Sequence, residues 1–262
     1  MSDLPASAAQ PAATRPLRVA TWNIHDCRRG LTAVARQLAS LDADVVGLQE
    51  VDRRTRRSGG VDQAAELAAR CGFAHHRFFR AIGREGGDYG VALLSRWPLS
   101  GERVGMLPNR PGFEQRVVAS AVLDFAPARV EIAVTHLTNS RRDGRLRHEQ
   151  ARAIARHLSG GGLPRVVVGD FNEPPGYPAH RALASAFIDV FAAVGQGPGG
   201  TFPLVLRWLP ALRLDYLFAS RELGLAGARV VPTDASDHHP LSAELWLPPP
   251  RTAGCPLFEA IG

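Results

Sequence analysis

The stretch Pro164-Arg165-Val166-Val167-Val168-Gly169-Asp170-Phe171-Asn172 decides how this chain is read. Three consecutive valines favour a pleated, buried environment, because β-branched side chains are stiff and pack well on a sheet. The strand they predict ends abruptly in Asp-x-Asn. Residues two apart on an extended chain point to the same side, so this strand would deliver Asp170 and Asn172 to one place. A carboxylate that orients or deprotonates water, beside an amide that both donates and accepts, can form a catalytic pair. The same residues also read as a strand running into a turn, since Glu173-Pro174-Pro175-Gly176 follows and all these types favour turns.

Recurrence separates the two readings. Leu17 to Trp22 is strand-like and ends in Asn23, Asp44 to Gln49 ends in Glu50, and Val130 to Thr135 ends in His136. Leu212 to Phe218 carries Asp215 in an otherwise apolar run, and Ser236-Asp237-His238-His239-Pro240 precedes the strand-like Leu241 to Leu247. Taken singly, each polar residue is explained as a cap, a turn residue or a satisfied core histidine. Six such segments point instead to one cleft, because strand ends are where the loops of a sheet protein converge.

Taken in order, the segments Thr21-Trp22-Asn23-Ile24, Leu48-Gln49-Glu50-Val51, Tyr89 to Pro98 (YGVALLSRWP), Thr135-His136-Leu137, Gly169-Asp170-Phe171-Asn172, Arg213-Leu214-Asp215-Tyr216 and Ser236-Asp237-His238-His239-Pro240 resemble the endonuclease/exonuclease/phosphatase superfamily. That group includes deoxyribonuclease I, abasic-site exonucleases, neutral sphingomyelinases and inositol polyphosphate 5-phosphatases. The matches cover about residues 17 to 247. The resemblance implies an α/β fold of the deoxyribonuclease I type: a four-layer sandwich of two packed mixed β-sheets flanked by helices, with the site at one edge. It also implies a Mg2+-dependent phosphoesterase, with Mn2+ as a substitute. Glu50, Asn23 and Asp237 would hold or orient the ion. Asp170 would orient or deprotonate the attacking water, and Asn172 would place it. His238 would be the active-site imidazole, fixed and kept protonated by Asp215, with His136 stabilising the phosphoryl oxygens from the opposite side. Abasic-site nucleases of the family usually carry an Asp two residues after the first Asn and a Lys soon after the Glu. Here those places hold His25 and Val51-Asp52, and His136 stands where they tend to use Tyr. Abasic-site repair is therefore disfavoured, while Thr135-His136-Leu137 and the segment Gly90 to Pro98 look closer to sphingomyelinase-like and unassigned bacterial members, and His25 reads equally as a substrate-side residue or a plain loop histidine.

Composition fits one enzyme domain. With 262 residues and 45% hydrophobic content the chain can build a substantial core, and no linker interrupts the motif series. Residues 1–16 read as a flexible Ala/Pro-rich tail, 17–247 as the domain and 248–262 as an irregular tail in which Pro256-Leu257-Phe258 can dock back. No apolar run is long enough to span a bilayer, and the N-terminus does not read as a signal peptide. Cys27, Cys71 and Cys255 are odd in number and lack metal-type spacing, so a reducing, cytoplasmic compartment is expected. We expect a monomer whose partner is a phosphate-ester substrate, with a nucleic acid or phospholipid surface also open.

The formal charge of +6 comes from 31 basic residues, all arginine, a pattern that coding bias explains as readily as phosphate binding. Two clusters are local. Arg53, Arg54, Arg56 and Arg57 follow Glu50, and Arg141, Arg142, Arg145 and Arg147 follow His136; both are positioned to rim the cleft, or, for the second, to line the solvated face of a helix starting near Asp143. Helical periodicity also marks Leu31 to Leu41, Val61 to Cys71 and Ala179 to Ala193, while Tyr89 to Leu94, Arg116 to Phe125 and Val130 to Thr135 read as successive strands. The apolar segment Thr201 to Pro210, with Phe202, Leu206 and Trp208, reads either as a cleft wall for an acyl chain or a base, or as core packing. A phosphodiester with a lipid or hydrophobic part is the leading substrate. A nuclease is the alternative, and a non-catalytic Arg-rich nucleic-acid-binding module is a third reading that the intact site positions disfavour.

Overall fold

The valines of the Asp-x-Asn stretch divide between two cores. Val166 and Val168 enter a core between two sheets, together with Val19, Val45, Leu93, Val134 and Leu217. Val167 points the other way, into a core under helices with Ala151, Ile154, Leu183 and Phe218. A third core, containing Trp22, Leu38, Val46, Leu48, Leu67 and Leu94, lies beneath the opposite helical layer. Three apolar interfaces separate four layers, because each sheet buries both faces and each helix buries one.

The computed structural model describes residues 15–140, 142–204 and 211–249. Its elements, in chain order, begin with β1 (Leu17–Asn23), α1 (Leu31–Ser40), β2 (Val45–Arg53), α2 (Gln63–Cys71), β3 (His75–Arg84) and β4 (Gly87–Ser95). There follow β5 (Leu99–Met106), β6 (Val117–Phe125), β7 (Ala128–His136), α3 (Gly144–His157), β8 (Arg165–Asp170) and α4 (Pro178–Ala184). The last are β9 (Ile188–Asp189), α5 (Val190–Val194), β10 (Gly195–Gln196), β11 (Asp215–Ala219), β12 (Gly224–Val230) and β13 (Leu241–Trp246). One sheet has seven strands in the order β10-β12-β13-β1-β2-β4-β3, the other six in the order β5-β6-β7-β8-β11-β9. Each is mixed: β1 and β2 pair parallel within antiparallel neighbours, as do β7 and β8. None of the described helices is long and apolar enough to cross a membrane.

Local chemistry sets the helix ends. Asp62 and Asp143 accept from the backbone N–H of Ala65 and Leu146 and so cap α2 and α3, and Gly72 ends α2 at φ 73°, where a side chain would be strained. The helix expected over Ala179 to Ala193 is two helices. The chain leaves α4 and pairs as β9 with β11, and Asp189 then caps α5 by accepting from Ala192 N–H. The strand expected from Leu212 joins its ladder only at Asp215. The sequence reading did not anticipate the edge strands β3 and β5; β3 has Arg80 and Gly83 exposed, and five consecutive residues of β5, Ser100 to Val104, are exposed, so neither shows an apolar alternation.

The two sheets come into close contact at Gly47 of β2. A Cβ built there would lie closer than 3.0 Å to Val168 Cγ2 and 3.2 Å from Val134 Cγ2. Gly47 therefore allows β2 of one sheet to pack against β7 and β8 of the other near the ends of those strands.

Candidate active site

Three strand ends of the six-stranded sheet lie side by side. Asp170 of β8 stands opposite His136 of β7 in the parallel pair and opposite Asp215 of β11 in the antiparallel pair, so the ladder itself aligns the three side chains. His238, from the loop before β13 of the other sheet, reaches across: its Nδ1 lies 2.8 Å from Asp215 Oδ2 and its Nε2 3.7 Å from Asp170 Oδ2. Trp22 Nε1–H donates to the His238 carbonyl at 2.9 Å, and Phe202 packs on the imidazole with ring centroids 4.9 Å apart.

The seven-stranded sheet contributes Asn23 and Glu50. Val46 and Leu48 face the helix-side core, and strict alternation would send Glu50 there too. A bulge between Leu48 and Val51 changes the parity. Glu50 takes φ 56°, Val51 inherits the core position, and the carboxylate turns to the site. Asn23 then joins the sheets: Nδ2 donates to Glu50 Oε1 and to Asp170 Oδ2, each at 3.0 Å, while Oδ1 accepts from His25 N–H.

Asp170 and Asn172 do converge, but not by extension. The ladder ends at Asp170, and Asn172 adopts φ 50°, which Asn tolerates better than most residues. Asn172 N–H donates to Asp170 Oδ1 at 2.8 Å, and its Nδ2 lies 3.1 Å from the Leu137 carbonyl and 3.0 Å from His136 Nε2. A side-chain-closed turn replaces the period-two geometry the sequence suggested.

The sequence reading missed Arg116. Its Nη1 lies 3.0 Å from His136 Nδ1 and 2.9 Å from Glu114 Oε1. Guanidinium only donates, so His136 Nδ1 is the accepting nitrogen against Arg116, which puts the ring proton on Nε2, 3.5 Å from Asp170 Oδ2. The available signal was an arginine opening the apolar run Val117 to Val122, since a buried guanidinium needs a partner. Ser236, quoted within a motif but given no role, donates to the Asn23 carbonyl at 2.8 Å, and its Oγ lies 3.2 Å from Asp237 Oδ1.

Burial and charge push the titrating groups apart. Burial lowers His136 well below the usual histidine value, and the Arg116 and His238 charges add to that, so it is a neutral donor near pH 7. His238 goes the other way. Burial disfavours its cation, but Asp215 and Asp170 outweigh burial and raise it to about 10. Burial raises Asp170 to about 7, with Asp215 adding to the rise and the His238 charge and the Asn23 and Asn172 N–H groups opposing it. The three act as one coupled set, in which an imidazolium lies between two carboxylates.

A left-handed turn flanks the site. His25, Asp26 and Cys27 have φ values of 47°, 48° and 56°, a conformation that costs about 1–2 kcal/mol per non-glycine residue. The turn places His25 Nδ1 3.1 Å from Asp237 Oδ1. Cys27 is buried and its thiol is pushed up to about 12, chiefly by burial, so it is not a nucleophile near neutrality.

The arginine clusters do not rim the cleft as a block. Arg53 pairs with Asp88 and lies over Phe78, and Arg57 is held by Asp52 and Asp26. Arg147 is buried on the carbonyls of Thr138 and Ser140 and beside Glu173, and Arg145 pairs with Glu149. Arg54 and Arg56 are exposed. Arg141, Leu206 and Trp208 lie outside the described residues.

Two residue sets offer metal-ligand atoms. Asp170, Asp215 and His238 bring three within 4.8 Å of one another. All three are buried, and His238 and Asp215 already bond to each other. Glu50 and Asp237 are partly exposed, and among the described residues neither Glu50 Oε2 nor Asp237 Oδ2 has a hydrogen-bond partner. Asn23 Oδ1 retains one lone pair beyond the His25 contact.

The model of the Endonuclease/Exonuclease/phosphatase family matches residues 20–238. Among solved structures, the chain is similar to an endonuclease/exonuclease/phosphatase from Beutenbergia cavernae, with 28% identity and TM-score 0.75 over 89% of this chain and 72% of that one. It shares its fold with the mannosyl-6-phosphatase Bt3783 of Bacteroides thetaiotaomicron, with 17% identity, TM-score 0.71 and coverage of 87% and 99%. The human Nocturnin catalytic domain, with bound sulfate, also shares the fold, with 21% identity, TM-score 0.70 and coverage of 91% and 99%. No curated protein matches the chain.

Proposed function

The chain belongs to the endonuclease/exonuclease/phosphatase family, and from that premise we propose that it is a Mg2+-dependent phosphodiesterase acting on a phospholipid-type or other small phosphodiester. The observation that carries this reading is the Asn23 amide bridging Glu50 of one sheet and Asp170 of the other. It sets a partly exposed carboxylate suited to a hydrated cation beside a buried carboxylate suited to proton transfer.

Glu50, Asp237 and Asn23 would hold the ion, which when bound supplies charge neutralisation at the phosphoryl oxygens. Mg2+ keeps several waters and favours oxygen ligands, so the partly exposed set fits it better than the buried Asp170, Asp215 and His238 set. Asp170 orients the attacking water and takes its proton. His136 Nε2–H meets the developing phosphoryl charge from one side, Asn172 places the water, and the His238 imidazolium, backed by Asp215, meets the charge from the other. Phe202 gives this site an apolar wall, which supports a substrate with a hydrophobic part. A second reading, a nuclease, draws support from the exposed Arg54 and Arg56 in the loop after Glu50.

The test is a metal-dependence screen against bis-p-nitrophenyl phosphate, DNA, RNA and phospholipid vesicles, with Asp170→Ala and His238→Ala as controls. We expect metal-dependent hydrolysis of the small diester and of phospholipid, lost in both variants. Unchanged activity in both variants refutes the mechanism, and cleavage confined to DNA or RNA selects the second reading.

A further inference from the structure

We propose that His25 is a positioning residue of the cation site: its imidazole, with Nδ1 3.1 Å from Asp237 Oδ1, holds that carboxylate so that Oδ2 is presented to the ion. This rests on Asn23, Glu50 and Asp237 being the cation-holding set and adds a residue that does not itself touch the ion.

The left-handed turn that carries His25 is held from several directions. His25 N–H donates to Asn23 Oδ1 at 3.0 Å, and Gln63 Nε2 donates to the Asp26 carbonyl at 2.7 Å. Arg57 and Arg28 grip the Asp26 carboxylate at 2.8 and 3.1 Å, and Cys27 is buried beneath. Three successive left-handed residues persist only where the surroundings over-determine them, and such strain gathers where a side chain must be aimed. The side chain aimed here is an imidazole, 28% exposed, 3.1 Å from a carboxylate that is 34% exposed.

The same turn grips the loop that carries Asp237. Arg29 Nη1 donates to the carbonyls of Asp234 and Ser236, at 3.1 and 2.8 Å. The Ser236 hydroxyl has one proton, held by the Asn23 carbonyl at 2.8 Å, so His25 Nδ1, 3.1 Å away, is the polar group that faces Asp237 Oδ1. A half-exposed aspartate on a loop rotates freely about its side-chain torsions. A fixed polar contact on one oxygen selects a rotamer before any ion arrives, which removes part of the ordering cost of binding.

His25→Gly keeps the φ of 47° accessible and removes the imidazole. His25→Asn tolerates the same backbone and offers an amide N–H near the position of Nδ1–H. Both are compared with the full-length wild type and with Asp237→Ala. The readout is direct Mn2+ binding without substrate, followed by the electron paramagnetic resonance of free Mn2+, with thermal melting in EDTA as the folding check. The expected result is a 10–100-fold weaker Kd for His25→Gly, with most of the affinity returned in His25→Asn. Wild-type affinity in His25→Gly, while Asp237→Ala is weakened, overturns the role of His25 and leaves the cation site standing. An Asn variant that melts normally yet binds as weakly as the Gly variant overturns the polar-contact role. A wild type that binds no Mn2+, or binds it no better than Asp237→Ala, overturns the site reading and this inference with it.

Discussion

Gly47→Ala is predicted to damage activity more than stability, because Gly47 sets the spacing of the two sheets next to the site. The added Cβ would fall within 3.0 Å of Val168 Cγ2 and 3.2 Å from Val134 Cγ2. Carbon atoms sit best at about 3.5–4.0 Å, so the sheets must part locally by on the order of 1 Å. Valine at 168 cannot swing clear easily, because a β-branched side chain has few open rotamers and both faces of β8 are packed. Overpacking of this kind costs about 1–3 kcal/mol, which for a chain of this size lowers Tm by roughly 2–12 °C. The functional cost is larger. Glu50 lies three residues beyond Gly47 on one sheet and Asp170 two beyond Val168 on the other, bridged by the Asn23 amide. A misplacement of about 1 Å between reacting groups costs about 100-fold in rate. The assay is kcat on bis-p-nitrophenyl phosphate alongside thermal melting, for Gly47→Ala, Val168→Ala and the double variant. Relief of the clash should make the double variant more active than Gly47→Ala alone. Wild-type kcat in Gly47→Ala, or a double variant no better than the single, refutes the spacing argument.

Asp215→Asn removes the charge that faces the buried His238 imidazolium at 2.8 Å, so kcat should fall by about 100- to 10,000-fold and Tm should fall with it; an unchanged pH–rate profile would show that the pair does not act in catalysis. Arg116→Met removes the donor that fixes the His136 tautomer and should lower kcat with KM nearly unchanged, read by steady-state kinetics, with the opposite split counting against it. For Asp189, burial disfavours the charge, but His180, Arg213 and the Ala192 N–H outweigh it and hold the carboxyl down at about 2. A depressed carboxyl contributes stability that is complete above its unfolded value of 3.8 and is lost as pH falls through about 2. Denaturant titrations from pH 4 to pH 2 should therefore show about 2 kcal/mol more loss in the wild type than in Asp189→Asn; parallel losses would contradict the linkage. Dialysis against EDTA should abolish hydrolysis and Mg2+ or Mn2+ should restore it, as followed by p-nitrophenolate release.

The sequence by itself determined the central strands, because β-branched runs such as Val166 to Val168 have few alternatives to a buried sheet. It also named the residues that now meet: Asn23, Glu50, His136, Asp170, Asn172, Asp215, Asp237 and His238 each stand at a strand end or its adjoining loop, where polar side chains interrupt apolar pattern. Period and composition are local properties, so they are legible one segment at a time. The tertiary structure alone decided the rest. It placed the β2 bulge that turns Glu50 from the core to the site, the Asn172 turn in place of an extended strand, and the Arg116 contact that chooses a histidine proton. It also buried Arg147 and tied Arg57 to Asp52 and Asp26, where the sequence had placed both in free surface clusters. Each of these depends on which strands lie side by side and which carboxylates they bring into reach, and no pattern confined to one segment contains that pairing.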